Sequence, residues 1–126
     1  MTVVLDASAL IAFLLEEPGA EVVAQHLSDA LVSSVNMTEV VAKLVDLGQT
    51  SEEITLTLRR LGSRIVPFDA AQALAAGLLR HATRAAGLSV GDRACLVLAG
   101  SEGLPAVTAD RAWAGLDHGV EVEVIR

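Results

Sequence analysis

The stretch VVLDASALIAFLLEEPG, Val3 to Gly19, decides how the chain is built. Val3, Val4 and Leu5 form a short β-branched, apolar run, the signature of a strand buried on both faces of a parallel sheet. Asp6 follows at once, and a second apolar run, helical from Ser8 to Leu15, ends at Glu16-Glu17-Pro18-Gly19. A carboxylate wedged between two buried segments needs a reason. The strand could end there in order to present a charge, or Asp6 could cap the helix that starts at Ala7.

Working outward, the same alternation recurs. Glu21 to Leu27 has helical spacing, and Ala30 to Ser33 reads as a second strand. Asn36 opens a helix through Leu47 that Gly48 stops. Thr50 and Glu53 form a capping box for a helix to Leu61. Arg64 to Pro67 is a third strand, and Asp69 caps a long alanine-rich helix through Thr83 that Gly87 ends. Ser89 caps a helix over Val90 to Ala99, Ala106 to Thr108 is a fourth strand, and Asp110 to Trp113 is a helical turn. Val120 to Ile125 alternates valine with charge, as an edge strand does. Strands alternating with helices imply one α/β domain over residues 1–126. It is a three-layer α/β/α arrangement around a mainly parallel sheet of four to five strands.

Bulk composition narrows the function. Hydrophobic residues make up 52% of the 126, enough for a substantial core, but only 2% are aromatic, so that core is aliphatic. The formal net charge of −7 argues against a broad basic face for nucleic acid. It leaves room for a basic partner or for acids gathered around a cation. The lone Cys95, in an apolar run, excludes an intramolecular disulfide and a cysteine zinc cluster. The N-terminal apolar run is shorter than the ~20 residues of a membrane span and lacks a basic flank, so a soluble cytoplasmic protein is expected, with no membrane partner. His26, His81 and His118 have neither ligand nor triad spacing.

Four acids share one address in this topology. Asp6 ends strand one, Glu39 lies in the first turn of the helix after strand two, Asp92 in the first turn of the helix leading to strand four, and Asp110 two residues past that strand. All belong at the carboxyl edge of the sheet, where doubly wound folds bind ligands. Singly, each also reads as a helix cap, with Asn36-x-x-Glu39 and Ser89-x-x-Asp92 as capping boxes. Together they would repel one another in a cleft unless a cation neutralises them. Oxygen donors without His or Cys suit Mg²⁺, or Mn²⁺, rather than Zn²⁺.

The segments VVLDASALIAFLL, SSVNMTEVVAKL, GLSVGDRACLVLA and PAVTADRAW, in this order and spacing, resemble the PIN-domain ribonucleases, and more narrowly the VapC toxins of type II toxin–antitoxin pairs. The resemblance implies a Mg²⁺-dependent endoribonuclease that cleaves RNA with metal-activated water. It implies an acidic pocket of Asp6, Glu39, Asp92 and Asp110, with Asp6 and Asp92 the foremost metal ligands and the hydroxyls of Ser8 and Thr108 in support. It also implies a VapB-like antitoxin as partner and a homodimer. Arg93 and Arg111, each following a pocket acid, could hold RNA phosphates with the guanidinium fork, or could pair with the neighbouring acids and orient them. Asp117, in a likeness-variable segment, reads as a surface acid and Trp113 as a core anchor. Two other classes compete. One is a catalytically silent PIN-like module that acts only through its partner. The other, a phosphorelay receiver, fits poorly, because Asp6 stands alone and the sole lysine, Lys43, lies on an early helix.

Overall fold

A computed structural model describes residues 1–126. Five strands form one sheet: β1 (Val3–Leu5), β2 (Ala30–Ser33), β3 (Arg64–Val66), β4 (Ala106–Thr108) and β5 (Val122–Val124). Their order is β3-β2-β1-β4-β5 and every pairing is parallel. The chain runs from β1 outward to β2 and β3. It then returns to lay β4 on the other side of β1, so the strand order reverses between β1 and β4. Such a switch point opens a crevice beyond the carboxyl ends of the two strands. β5 lies at an edge, as its alternating charge requires.

Two apolar layers clamp the sheet, and the period-2 geometry of a strand divides the residues between them. On one face Val3, Leu5 and Val107 pack with helices α1 (Ala7–Leu14), α2 (Ala20–Ala24), α3 (Ser34–Asp46) and α4 (Ser51–Leu61). On the other, Val4 and Ala106 pack with Trp113 and with Cys95, Leu96, Leu98 and Ala99. Those last four lie on α7 (Val90–Glu102), which packs against α5 (Ala70–Leu78) and the short α6 (Arg80–Thr83). Val3, Val4 and Leu5 are wholly buried, as a central parallel strand must be.

The structure corrects three local expectations. The alanine-rich helix is not continuous through Thr83. It breaks at Leu79, whose carbonyl accepts a 2.8 Å hydrogen bond from the Thr83 hydroxyl, an interaction that bends helices. The helix from Glu21 does not reach Leu27. It spans Ala20–Ala24 and a 3₁₀ turn follows over Leu27–Asp29, where the Leu27 carbonyl accepts from Ser63 Oγ at 2.6 Å. Finally, α3 starts two residues before Asn36. Ser33 is its N-cap, accepting from the Val35 N–H at 3.3 Å, which frees the Asn36 side chain for another use. No helix is long and apolar enough to cross a membrane.

Candidate active site

At the switch point, Asp6 leaves β1 and caps α1. Its Oδ1 accepts from the Ala9 N–H at 2.8 Å. Ser8 Oγ reaches the same carboxylate at 2.8 Å, and Thr108 Oγ1, at the end of β4, reaches Oδ2 at 2.7 Å. Each hydroxyl has one proton and also accepts a backbone N–H, Ser8 from Ala109 at 2.9 Å and Thr108 from Asp110 at 3.0 Å. The shortest acceptor for each is the Asp6 carboxylate, and the two hydroxyls also lie 3.2 Å from each other. Two hydroxyls thus join the ends of β1 and β4 through one carboxylate.

That carboxylate is 3% exposed. Burial pushes its pKa from 3.8 up to about 6, and the nearby Asp92 charge adds to the rise, while the bonds from Thr108, Ala9 and Ser8 hold it down. The other acids are reached from separate elements. Asp92 sits in the first turn of α7 and completes a capping box with Ser89, its Oδ2 accepting from the Ser89 N–H at 2.8 Å. Asp110 caps a 3₁₀ turn, its Oδ1 accepting from the Ala112 N–H at 2.9 Å. Glu39 Oε1 accepts from Asn36 Nδ2 at 3.0 Å. Each of these three thus commits one oxygen to a cap or to Asn36.

Asp6, Ala7, Ser8, Ile11, Asn36, Glu39, Asp92 and Asp110 line one pocket of about 240 Å³. All four sequence-predicted acids are in it, and no basic residue is. Larger hollows exist, one between Thr2, Ser28, Asp29, Arg64 and Glu102, but they lack this convergence of like charge. Beneath the pocket, burial pushes the Cys95 thiol up, and the charges of Asp6, Asp92 and Glu39 add to the effect. As the side chains stand, no three His, Cys, Asp or Glu groups draw close enough to enclose an ion. The charged donors are oxygen only. Spaced oxygen donors fit a hard cation that keeps part of its water shell, as Mg²⁺ does.

Arg93 departs from expectation. Arg93 is buried, and its Nη1 donates to the Ala76 carbonyl at 2.9 Å, so it ties α7 to α5 and neither faces RNA nor pairs with an acid. Arg111 is exposed and its Nε donates to the Arg126 carbonyl at 2.9 Å. Asp117 does not line the pocket, and Trp113 is wholly buried. Two residues bear on the site in ways that sequence reasoning passed over: Asn36, which lines the pocket, and Gly91, whose missing side chain leaves room for the Glu39 carboxylate. A glycine inside a helix, next to a candidate acid, was the available signal.

The family model for the PIN domain matches residues 3–119. The chain therefore belongs to the PIN domain family. No curated protein matches it. Among solved structures it is similar to a toxin–antitoxin complex from Klebsiella pneumoniae, with 17% identity, 98% of each chain covered and a TM-score of 0.77. It is also similar to a DNA-bound VapBC from Salmonella typhimurium (18%, 100% of this chain and 99% of that one, TM-score 0.72). A third is FitAcB from Neisseria gonorrhoeae (23%, 97% and 96%, TM-score 0.66). At these identities the likeness is one of fold.

Proposed function

We propose that this protein is a metal-dependent endoribonuclease and the toxin of a type II toxin–antitoxin pair. One observation carries the proposal. Four carboxylates from four separate segments line a single pocket at the strand-order switch, with no basic residue to neutralise them. Membership of the PIN domain family and a fold shared with proteins from toxin–antitoxin complexes support it.

Asp6, Asp92, Glu39 and Asp110 would hold Mg²⁺ or Mn²⁺, which when bound supplies an activated water and neutralises charge at a phosphodiester. The chain's own residues set the stage. Ser8 and Thr108 orient Asp6 and pin it to the end of β4. The caps on Asp92 and Asp110 fix one oxygen of each and leave the other for the pocket. Unneutralised, the four carboxylates repel an RNA backbone, so the fold admits substrate only with a cation in place. In this reading Arg111, beside Asp110 and exposed, would meet a phosphate. The partner in this reading is a VapB-like antitoxin, whose basic side chain would satisfy the same charge deficit. The active form in this reading is a homodimer, expected to sediment at twice the 13.1 kDa chain mass.

A silent binding module is the second reading, favoured by the caps that already satisfy one oxygen of each acid. Total cellular RNA incubated with the antitoxin-free protein in Mg²⁺, Mn²⁺ or EDTA decides between them. Discrete fragments that need metal and disappear in Asp92→Asn are expected. A folded protein that binds metal and leaves all RNA intact would favour the silent module.

A further inference from the structure

Asn36 is a polar side chain in the body of a helix with only 1% of its surface exposed. Its amide nitrogen donates twice, to Glu39 Oε1 at 3.0 Å within α3 and to the Gly91 carbonyl oxygen at 2.9 Å on α7. Both partners only accept, so turning the amide over would lose both bonds. That settles which atom is the oxygen, and this Oδ1 has no hydrogen-bond partner. A buried acceptor without a donor is costly to the fold. Asn36 lines the carboxylate pocket, where every other polar neighbour that is charged is an acid. Asn36 Oδ1 is closed to solvent, so the side chain acts on the pocket through the Glu39 carboxylate that its amide nitrogen holds.

Gly91 is an independent sign. It occupies the second residue of α7, where glycine is a poor helix former. A Cβ there would stand 2.7 Å from Glu39 Cδ and 2.8 Å from its Oε2. The Glu39 carboxylate thus lies directly on the α7 backbone, in space that only the missing side chain leaves open. It reaches there from α3 with Asn36 as the brace between the two helices.

We propose that Asn36 is a positioning residue. Its NH₂ group fastens Glu39 to the start of α7, one residue from Asp92, and so holds that carboxylate in place for a hydrated divalent cation. The assignment rests on the metal-centre reading above and adds a brace to it.

The test is Mn²⁺ binding to the whole chain, read by loss of the free-ion paramagnetic resonance signal, for wild type, Asn36→Ala, Glu39→Ala and the double variant. Asn36→Ala is expected to weaken Mn²⁺ roughly 10–100-fold, as loss of a group that orients a ligand does. In the Glu39→Ala background the same change is expected to cost much less, because most of its effect passes through Glu39. Equal losses in the two backgrounds would overturn the role, since a merely structural asparagine weakens both alike. Gly91→Ala covers the case in which Asn36→Ala does not fold. The three nearest atoms to its methyl all belong to the Glu39 carboxylate, so the fold is expected to stand while Mn²⁺ affinity falls. Affinity unchanged in Gly91→Ala would overturn the brace. Wild type that binds no Mn²⁺ would overturn the metal centre itself. Wild-type binding that Asn36→Ala leaves intact would overturn only the role of Asn36.

Discussion

Replacing Asp6 by Asn is expected to stabilise the metal-free protein while abolishing activity. The Asp6 carboxyl titrates at 3.8 when unperturbed and is raised to about 6 in the fold. An acid whose pKa is raised by folding is a liability when ionised, worth about 3 kcal/mol for a rise of this size. The sign follows from proton counting. Below pH ~4 both states hold the proton and the penalty is absent. Between pH ~4 and ~6 the folded chain keeps a proton that the unfolded chain has lost, so stability falls as pH rises. Above that the full penalty applies. Asparagine carries no charge, and its amide can donate towards Thr108 and Ser8 while its oxygen keeps the Ala9 N–H. Allowing about 1 kcal/mol for imperfect bonding, the net gain at pH 7.5 is ~2 kcal/mol, or a melting temperature higher by ~8 °C at this chain length. Thermal unfolding in EDTA from pH 3.5 to 8 measures it, and the two curves should converge at the acid end. Mg²⁺ should then raise the melting temperature of the wild type more than that of Asp6→Asn. An Asp6→Asn protein less stable than wild type at pH 7.5, or a difference that does not change with pH, would refute the reasoning.

Other outcomes follow from the same contacts. Arg93→Ala should lower stability by ~1–3 kcal/mol in denaturant unfolding, because it strands the buried Ala76 carbonyl. Arg111→Ala should leave stability within ~0.5 kcal/mol but weaken RNA retention and flatten its salt dependence in a filter-binding assay. Gly19→Ala should cost more than ~1 kcal/mol. Gly19 has φ +95°, and a methyl there would meet Ile125 side-chain carbons at 2.7 and 2.8 Å and its carbonyl oxygen at 2.8 Å. A thermal scan reads that loss directly.

How legible each part was depends on which forces act locally. β2 and β4 have the bounds that their apolar runs suggest, because a strand buried on both faces is mostly apolar. The capping boxes at Thr50 and Ser89 are present as the spacing implies. The break at Leu79 was hidden, since a threonine hydroxyl bonding back to a carbonyl leaves no glycine or proline to mark it. The four acids were legible as a set because topology alone sends strand ends to one edge. Arg93 misled for a geometric reason. Neighbours on a helix point about 100° apart, so a residue next to Asp92 cannot share its direction, and Arg93 turns inward to α5. The bond from Asn36 to Gly91 joins residues 55 apart. No local pattern can announce it, and only the glycine hinted that something lay close.

The reversal of strand order between β1 and β4 has a consequence for synthesis. Asp6 and Glu39 come from the first third of the chain, whereas Asp92, Thr108 and Asp110 come from the last. The carboxylate of Asp6 is pinned by a hydroxyl 102 residues downstream. At roughly 5–20 residues per second, a ribosome exposes the first pair of acids several seconds before the others exist. A nascent chain therefore lacks the complete pocket. The acidic pocket closes only when the chain is nearly finished, and a fragment of either half of the chain inherits an incomplete set of acids.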